Sequence, residues 1–302
     1  MNKTKSSPLQ PELSIIILNY NTKQVLCECL DSIAAHGNPR WEVIVVDNAS
    51  TDGSRELPHT YSWARWLLLD QNLGFAAGNN KGLALAKGKY LMLLNSDTEI
   101  SDVSRLDEAV EYMRKSRDVG AVTPSVRLRD GSLDWASHRG TPTLWTAFTY
   151  GTGLEHILGG SILGRWFGGY HLTWKDLRIA HEVDAVTGAA MIVSRVVLEK
   201  VGGLDERFFM YGEDLDWCFR IRSAGFKIIY FPESVVLHKK GQSGIHKQER
   251  SLEDAEIKLR MKGYFFDTML LFYDKHYRNK YPEWVRIIVQ AAIRLIKRVK
   301  GA

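Results

Sequence analysis

Three carboxylates fall within four residues in Tyr211-Gly212-Glu213-Asp214-Leu215-Asp216-Trp217, between two aromatics, and an apolar, helix-like run through Cys218, Phe219 and Ile221 follows up to Gly225. A helix tolerates acids in its first turn because the N-terminal dipole favours negative charge. Crowding three of them between a tyrosine and a tryptophan serves little structural purpose. The segment is therefore a candidate binding surface on which one carboxylate accepts a proton. Asp214 is the first candidate for that base and Glu213 the second, with Asp216 a candidate for orienting the group that gives up the proton. Two influences compete on acids placed here: the helix start favours the charged form, and burial beneath Tyr211 and Trp217 disfavours it.

A second set of candidates sits at the ends of apolar runs. Asp97 closes Asn95-Ser96-Asp97 directly after YLMLL. A carboxylate there can hold a hard divalent cation, Mg2+ or Mn2+, that also grips a diphosphate, or it can be a turn residue capping the next helix. Asp47, at the end of WEVIVV, can accept the imide N–H of a uracil or thymine ring while Tyr20 covers the ring face, or it can make an Asx turn with Asn48. Asn72, Gly74, Gly78 and Asn79 lie where backbone can approach a ligand closely, although a tight strand–helix turn accounts for the glycines equally well. His238 can ligate a metal through a neutral ring nitrogen, donate to phosphate, or face water. Lys239 and Lys240 beside it can hold an anionic leaving group or be solvated. No GxGxxG and no GxxxxGK[ST] occurs, which argues against dinucleotide and P-loop sites.

The elements that must position these residues alternate. Short continuous apolar runs at 13–18, 41–46, 66–69 and 90–94 read as buried parallel strands, with helices at 23–35 and 75–86 and a turn at 50–54 leading into a further helix start. This is an α/β pattern with helices on both faces of a mainly parallel sheet, in which ligands bind beyond the carboxyl ends of the strands. Polar residues stand at each of those ends: Asn19-Tyr20-Asn21, Asp47-Asn48, Asn72 and Asp97. The alternation lapses over 131–182, which is rich in glycine and aromatics and reads as a partly helical insertion. Strand character resumes over 183–194, a short helix follows at 196–201, and strands are expected at 227–230 and 235–237.

The 302 residues suffice for one large domain or two fused ones, and the 45% hydrophobic and 25% charged fractions exclude wholesale disorder. Only the tail 1–11 reads as loose. Three cysteines, Cys27, Cys29 and Cys218, make no disulfide framework, and reduced cytosolic thiols are the simplest reading. No run of about 18 apolar residues spans a membrane and no signal core opens the chain. The net charge of +5 is mild, so its placement matters more than its total. Nothing points to nucleic acid, and oligomeric state is not readable.

Taken in order, IIILNYN, VIVVDNASTDGS, QNLGFAAGNNKG, LLNSD, TGAAMIV, GGLDERFFMYGEDLDWCFRIRSAG and VVLHKKGQS are recognisable together. Over residues 13–243 the chain resembles the inverting glycosyltransferases of family 2, with the GT-A (Rossmann-like) fold, and within them the rhamnosyltransferase-like branch of bacterial surface polysaccharide assembly. The resemblance implies a catalytic domain over 12–243, with a nucleotide-sugar-binding half at 12–130, the insertion at 131–182 and an acceptor and catalytic half at 183–243, followed by C-terminal helices over 244–302. It implies that Tyr20 and Asp47 bind the nucleobase, that the turn with Asn72, Gly78 and Asn79 lines the nucleotide, and that Asn19 belongs to the same donor site. Asp97 matches the last acid of a DXD metal motif, His238 completes the metal or diphosphate site, and Asp214, in the ED-type motif with Glu213, is the base. The first acid of DXD is replaced by Asn95. The implied donor is dTDP-rhamnose, with UDP-linked galactose, glucose or N-acetylglucosamine as alternatives, and the acceptor is a glycan or lipid-linked glycan. A degenerate, non-catalytic sugar-nucleotide or glycan-binding protein is the competing class. A nucleotidyltransferase would want a glycine-rich basic loop after the first strand, which Asn19-Tyr20-Asn21-Thr22-Lys23 is not.

Residues 284–300 form an amphipathic basic helix. Arg286, Gln290, Arg294, Lys297 and Arg298 share one side, and Trp284, Ile288, Ala292, Leu295, Ile296 and Val299 the other. Such a helix suits the cytoplasmic face of an inner membrane, where a lipid-linked acceptor would be found, or packs on the domain or on a second subunit.

Overall fold

The computed structural model describes residues 10–240 and 252–299. Most of the expected tail 1–11, together with Gly241, Gln242, Ser243 and Lys300, lies outside the described residues.

Strands β1 (Leu13–Asn19), β2 (Trp41–Asp47), β3 (Arg65–Leu68) and β4 (Tyr90–Asn95) run parallel in the order β3-β2-β1-β4. Alternate side chains of β1 serve opposite faces. Ile15 and Ile17 pack with Leu26, Leu30 and Ile33 of α1 (Lys23–His36), and Ile16 packs in the cluster that holds Ala76 and Leu83 of α2 (Gly74–Leu85). Burial on both faces is the reason β1, β2 and β4 read as unbroken apolar runs, while β3, at the sheet edge, is only partly buried. The helix start expected after residue 54 is a 3-10 turn over Ser54–His59, in which Pro58 supplies no amide hydrogen.

Beyond β4 the sheet is mixed. β5 (Thr98–Glu99) pairs with β9 (Lys227–His238), while β6 (Val119–Arg127) runs parallel to β9. β7 (His181–Val183) is antiparallel to β9, and β8 (Ala190–Ser194) is antiparallel to both β4 and β6. Parallel pairing thus joins the first four strands and β6 with β9, while the remaining pairs are antiparallel. The two runs expected at 227–230 and 235–237 are one strand, offset where the register passes from Pro124↔Phe231 to Ser125↔Val235. The sequence reading passes over β6 and α3 (Leu106–Lys115). Leu106, Ala109, Val110 and Met113 of α3 stand at the i, i+3, i+4, i+7 spacing of a one-sided helix.

The insertion carries α4 (Leu144–Gly151), α5 (Leu154–Leu158) and α6 (Gly164–Phe167). After β8 come α7 (Arg195–Val201) and α8 (Glu213–Ser223), and α8 buries Trp217, Cys218 and Ile221. The last helices are α9 (Leu252–Tyr277) and α10 (Glu283–Val299). α10 lies on α9 by its polar side: Arg286 and Gln290 bond Asp274, and Lys297 bonds Asp267. Its apolar side (Trp284, Ile287, Ile288, Leu295, Ile296, Val299) is exposed. Among the described residues no helix is long and apolar enough to cross a membrane.

Candidate active site at the carboxyl edge of the sheet

The parallel register brings Asn19, Asp47 and Asn95 to one edge: Asn19 pairs with Asp47, and Leu18 with Asn95. There the chain builds three linked clusters.

The first shapes the loop after β2. Asp47 is fully buried; one carboxylate oxygen accepts from Asn19 Nδ2 at 2.9 Å and the other from the Ser50 amide at 2.9 Å, with Arg55 Nη1 3.6 Å away. The expected role of Asp47 as an acceptor for an imide needs correction, because no surface is left for a base to reach. Asn19 is likewise occupied by Asp47, Ser50 and Thr22. Both hold the frame, while Tyr20 is left 47% exposed at its rim, where a ring can stack.

The second cluster forms the entry to α2. Asn48 Nδ2 bonds Asn72 Oδ1, which also accepts from the Gly74 amide, and the Leu73 amide bonds Asn48 Oδ1. Gly74 has φ +83°, and a Cβ there would lie 2.5 Å from the Phe209 carbonyl, so glycine is required. The expectation for Gly78 is corrected: a Cβ would meet Leu18 Cδ1 at 2.5 Å, so this glycine lets α2 lie close on β1 and faces no ligand. Asn79 is also buried, with its amide turned back to the Phe75 carbonyl. Of this group only Asn72 is partly exposed.

The third cluster joins Asp97 and His238, as expected, and adds Asp134. Thr98 pairs with His238 across β5 and β9. His238 Nε2 stands 3.2 Å from Asp97 Oδ1, and Nδ1 stands 2.9 Å from Asp134 Oδ2. Burial disfavours the imidazolium, but Asp134 and Asp97 outweigh it and push His238 up to about 9. Burial also opposes ionisation of Asp134, yet His238 and Lys240 hold it well below the usual carboxylate range. Lys239 is buried between Glu28 and Glu99, whereas Lys240 is exposed, with its Nζ on Asp134 at 3.0 Å. Among the described residues no three His, Cys, Asp or Glu side chains converge as a metal cage. One carboxylate and one imidazole, the latter oriented through its second nitrogen by Asp134, do fit half a coordination sphere that a diphosphate could complete.

Backbone contacts lead from this edge to the acids of α8. The Asn95 amide donates to the Ala189 carbonyl, and three residues earlier the Val186 carbonyl accepts from Arg139 Nη2 at 2.9 Å. The same Nη2 bonds Asp214 Oδ2 at 2.7 Å. The Phe75 amide at the start of α2 donates to Phe209, five residues before Asp214. Asp214 keeps 13% of its side chain exposed. Glu213 is buried; desolvation first, then the neighbouring Asp214, raise it to about 8, and its Oε2 has no partner. Asp216 is corrected. It is fully buried and points away, to Arg220 at 2.8 Å and to Lys275 and His276 of α9 at 2.5 and 2.7 Å, so it anchors a helix and cannot orient an acceptor. Trp217 also turns to the core, its Nε1 on the Gly202 carbonyl, and does not cover the acids. Nothing in the spacing of the sequence marks Asp134 or Arg139; their partners lie 104 and 75 residues away.

A family model described as Glycosyl transferase family 2 matches residues 14–174. The O-antigen biosynthesis protein RfbC of Myxococcus xanthus is 29% identical over 242 residues, 77% of this chain and 18% of that protein. The N-acetylglucosaminyl-diphospho-decaprenol L-rhamnosyltransferase of Mycobacterium tuberculosis is 27% identical over 250 residues, 76% of this chain and 77% of that one. Among solved structures, the mannosyltransferase PcManGT of Pyrobaculum calidifontis, in complex with GDP-Man and Mn2+, superposes with a TM-score of 0.55 at 18% identity, covering 97% of this chain and 88% of that one. The mixed sheet with helices on both faces is the GT-A fold. With more than half of its length matched by the family model, the chain belongs to glycosyltransferase family 2.

Proposed function

We propose that the protein is an inverting glycosyltransferase that moves a sugar from a nucleoside diphosphate to a hydroxyl of a glycan or lipid-linked glycan in bacterial surface polysaccharide synthesis. The observation that carries this reading is the arrangement along one sheet edge. Asp97 and His238 suit a metal-bound diphosphate, and Asp214, paired with Arg139 and still partly exposed at the start of α8, suits a proton acceptor. Asp214 takes the proton of the acceptor hydroxyl as its oxygen forms a bond to the anomeric carbon. The bond from that carbon to the diphosphate breaks on the opposite face, its electron pair leaves with the diphosphate, and the configuration inverts. Asp97 and His238 would hold Mg2+ or Mn2+, which when bound neutralises charge on the diphosphate. A second catalytic carboxylate of the retaining kind is not needed. Tyr20 stacks on the nucleobase, and the Asn72 turn approaches the nucleotide.

The donor is dTDP-rhamnose. Support comes from the mycobacterial relative, whose name specifies rhamnosyl transfer to a polyprenol-linked sugar. The catalytic unit is 12–243, with acceptor contacts from the 131–182 insertion. The protein works at the cytoplasmic face of the membrane, docked through the outward apolar side of α10, which Arg294 and Arg298 flank with charge suited to anionic lipid.

The test is a panel of nucleotide-sugar donors read by thermal shift with and without Mn2+, followed by transfer assays on the donors that stabilise the protein. Asp214→Asn is expected to lower kcat by a factor of roughly 10²–10⁴ with donor binding retained. Full transfer by this variant refutes the base assignment. Metal-dependent donor binding with no turnover on any acceptor assigns the chain instead to the sugar-nucleotide-binding class, toward which Asn95 in place of an acid leans.

A further inference from the structure

The insertion reaches the acids of α8 through one residue, Arg139. Its backbone is pinned on both sides: its amide donates to the Ala185 carbonyl, and its carbonyl accepts from the Asp184 and Ala185 amides. The preceding His138 is tied through Nδ1 to the His171 carbonyl and through Nε2 to His181 Nε2 at 2.7 Å. The following Gly140 donates to the Tyr170 carbonyl and packs so closely on Gly169 that a Cβ would lie 2.0 Å from its carbonyl oxygen. The guanidinium is therefore delivered to Val186 and Asp214 with little freedom. It is buried, and its Nε has no partner, as Glu213 Oε2 has none. Two unpartnered polar atoms of opposite character thus flank the one carboxylate that keeps an opening to solvent. A purely structural ion pair would be expected to satisfy them, since a buried polar atom left unpaired costs on the order of 1–3 kcal/mol.

We propose that Arg139 is a positioning residue for the acceptor-activating carboxylate: it holds Asp214 aimed, and so couples the insertion to the proton transfer. The proposal rests on Asp214 being the base. Glu213 adjoins Asp214 and takes up the proton that two neighbouring carboxyls cannot both shed. Around them Cys218 on α8 acts on both Asp214 and Arg139, Tyr170 of the insertion acts on Arg139, and Arg222 acts on Cys218. With the guanidinium in place Asp214, the member that is not sealed in, is held in one orientation by the 2.7 Å bond. Without it the opening no longer presents a fixed acceptor orbital. The gain from Arg139 is a base fixed in direction, which suits a reaction needing a single in-line proton transfer.

The experiment measures kcat and donor KM against pH, with dTDP-rhamnose and an N-acetylglucosaminyl-diphospho-prenol, for the wild type, Arg139→Gln, Arg139→Lys and Asp214→Asn. Arg139→Gln is expected to lose about 100-fold in kcat with donor KM within a few-fold. Arg139→Lys, which keeps the charge without the fork, recovers about tenfold of that loss. A glutamine variant with wild-type kcat overturns the proposal. Should that variant not fold, a lysine variant with wild-type kcat overturns it equally. If Asp214→Asn is fully active, the base reading fails, and the proposal falls with it whatever Arg139 does. If the wild type turns over no donor, the carboxyl titration of Glu213 followed by 13C NMR decides the coupling. Its midpoint near 8 moves up in Arg139→Gln if the guanidinium sets the charge of the pair, and an unmoved midpoint refutes it.

Discussion

Glu213 provides a sharp test, because its protonated state is mimicked by one neutral side chain, glutamine. The native carboxyl is sealed at the start of α8, and desolvation together with Asp214 raises it from 4.5 to about 8. A raised carboxyl means that the native state keeps a proton which the unfolded state gives up. Between those two values native stability therefore falls with rising pH, by roughly 1.4 kcal/mol per unit. Below the unfolded value, and above the native one, the dependence vanishes. Glu213→Gln is a neutral near-isostere of the protonated form and has no such slope. From pH 5 to pH 8 the stability of the variant relative to wild type is thus expected to grow by about 4 kcal/mol, on the order of 5–10 °C in Tm for a chain of this size. The assay is a paired thermal melt of the two proteins at half-unit pH steps. At pH 7 wild-type Glu213 is already mostly protonated, so Glu213→Gln is expected to keep transfer activity within a few-fold while Asp214→Asn loses it. A melting difference that is flat across the range refutes the burial argument. A glutamine variant as inactive as Asp214→Asn refutes the division of labour between the two acids.

Two further outcomes concern the C-terminal helices. Ile288 and Leu295 are 57% and 63% exposed on the outward side of α10, and each is expected to contribute roughly 1–2 kcal/mol to insertion at a lipid surface. Ile288→Asp with Leu295→Asp should therefore cut binding to anionic vesicles by about 100-fold or more without lowering Tm, and unchanged vesicle binding removes the membrane role of this face. Burial raises the Asp216 carboxyl, but His276, Lys275 and Arg220 together bring it below its ordinary value, so its contribution to stability is complete above the unfolded carboxylate value and lost as pH falls through the lower native one. Asp216→Ala strands three basic groups and is expected to cost about 3–5 kcal/mol, with early hydrogen exchange in α9; a loss under about 1 kcal/mol would show that the anchor is idle.

How much could be read beforehand depended on the range of the interaction. The strands β1, β2 and β4, the helices α1 and α2 and the amphipathic character of α10 are written in local periodicity, and so is the rule that polar residues at the carboxyl ends of parallel strands surround the site. Asp97, His238 and Asp214 stand at such ends or at a helix start, and their types alone suggested metal and proton chemistry. Local pattern does not say which way a polar side chain turns once the ends are brought together. Asp47 and Asn19 satisfy each other, Asn79 folds back on its own helix, Gly78 makes room for Leu18, and Asp216 belongs to α9. Asp134 and Arg139 carry no local signal, because each acquires its role from a partner more than seventy residues away. α10 shows the same division: its two faces are plain in the sequence, but that the polar one is spent on Asp267 and Asp274 and the apolar one left outward is a matter of packing. The sequence by itself determined the family, the sheet edge and the kinds of group present there. Tertiary structure decided which of those groups remain available, since a buried polar atom bonds the nearest partner the fold supplies, and that partner is set by topology rather than by neighbours in the chain.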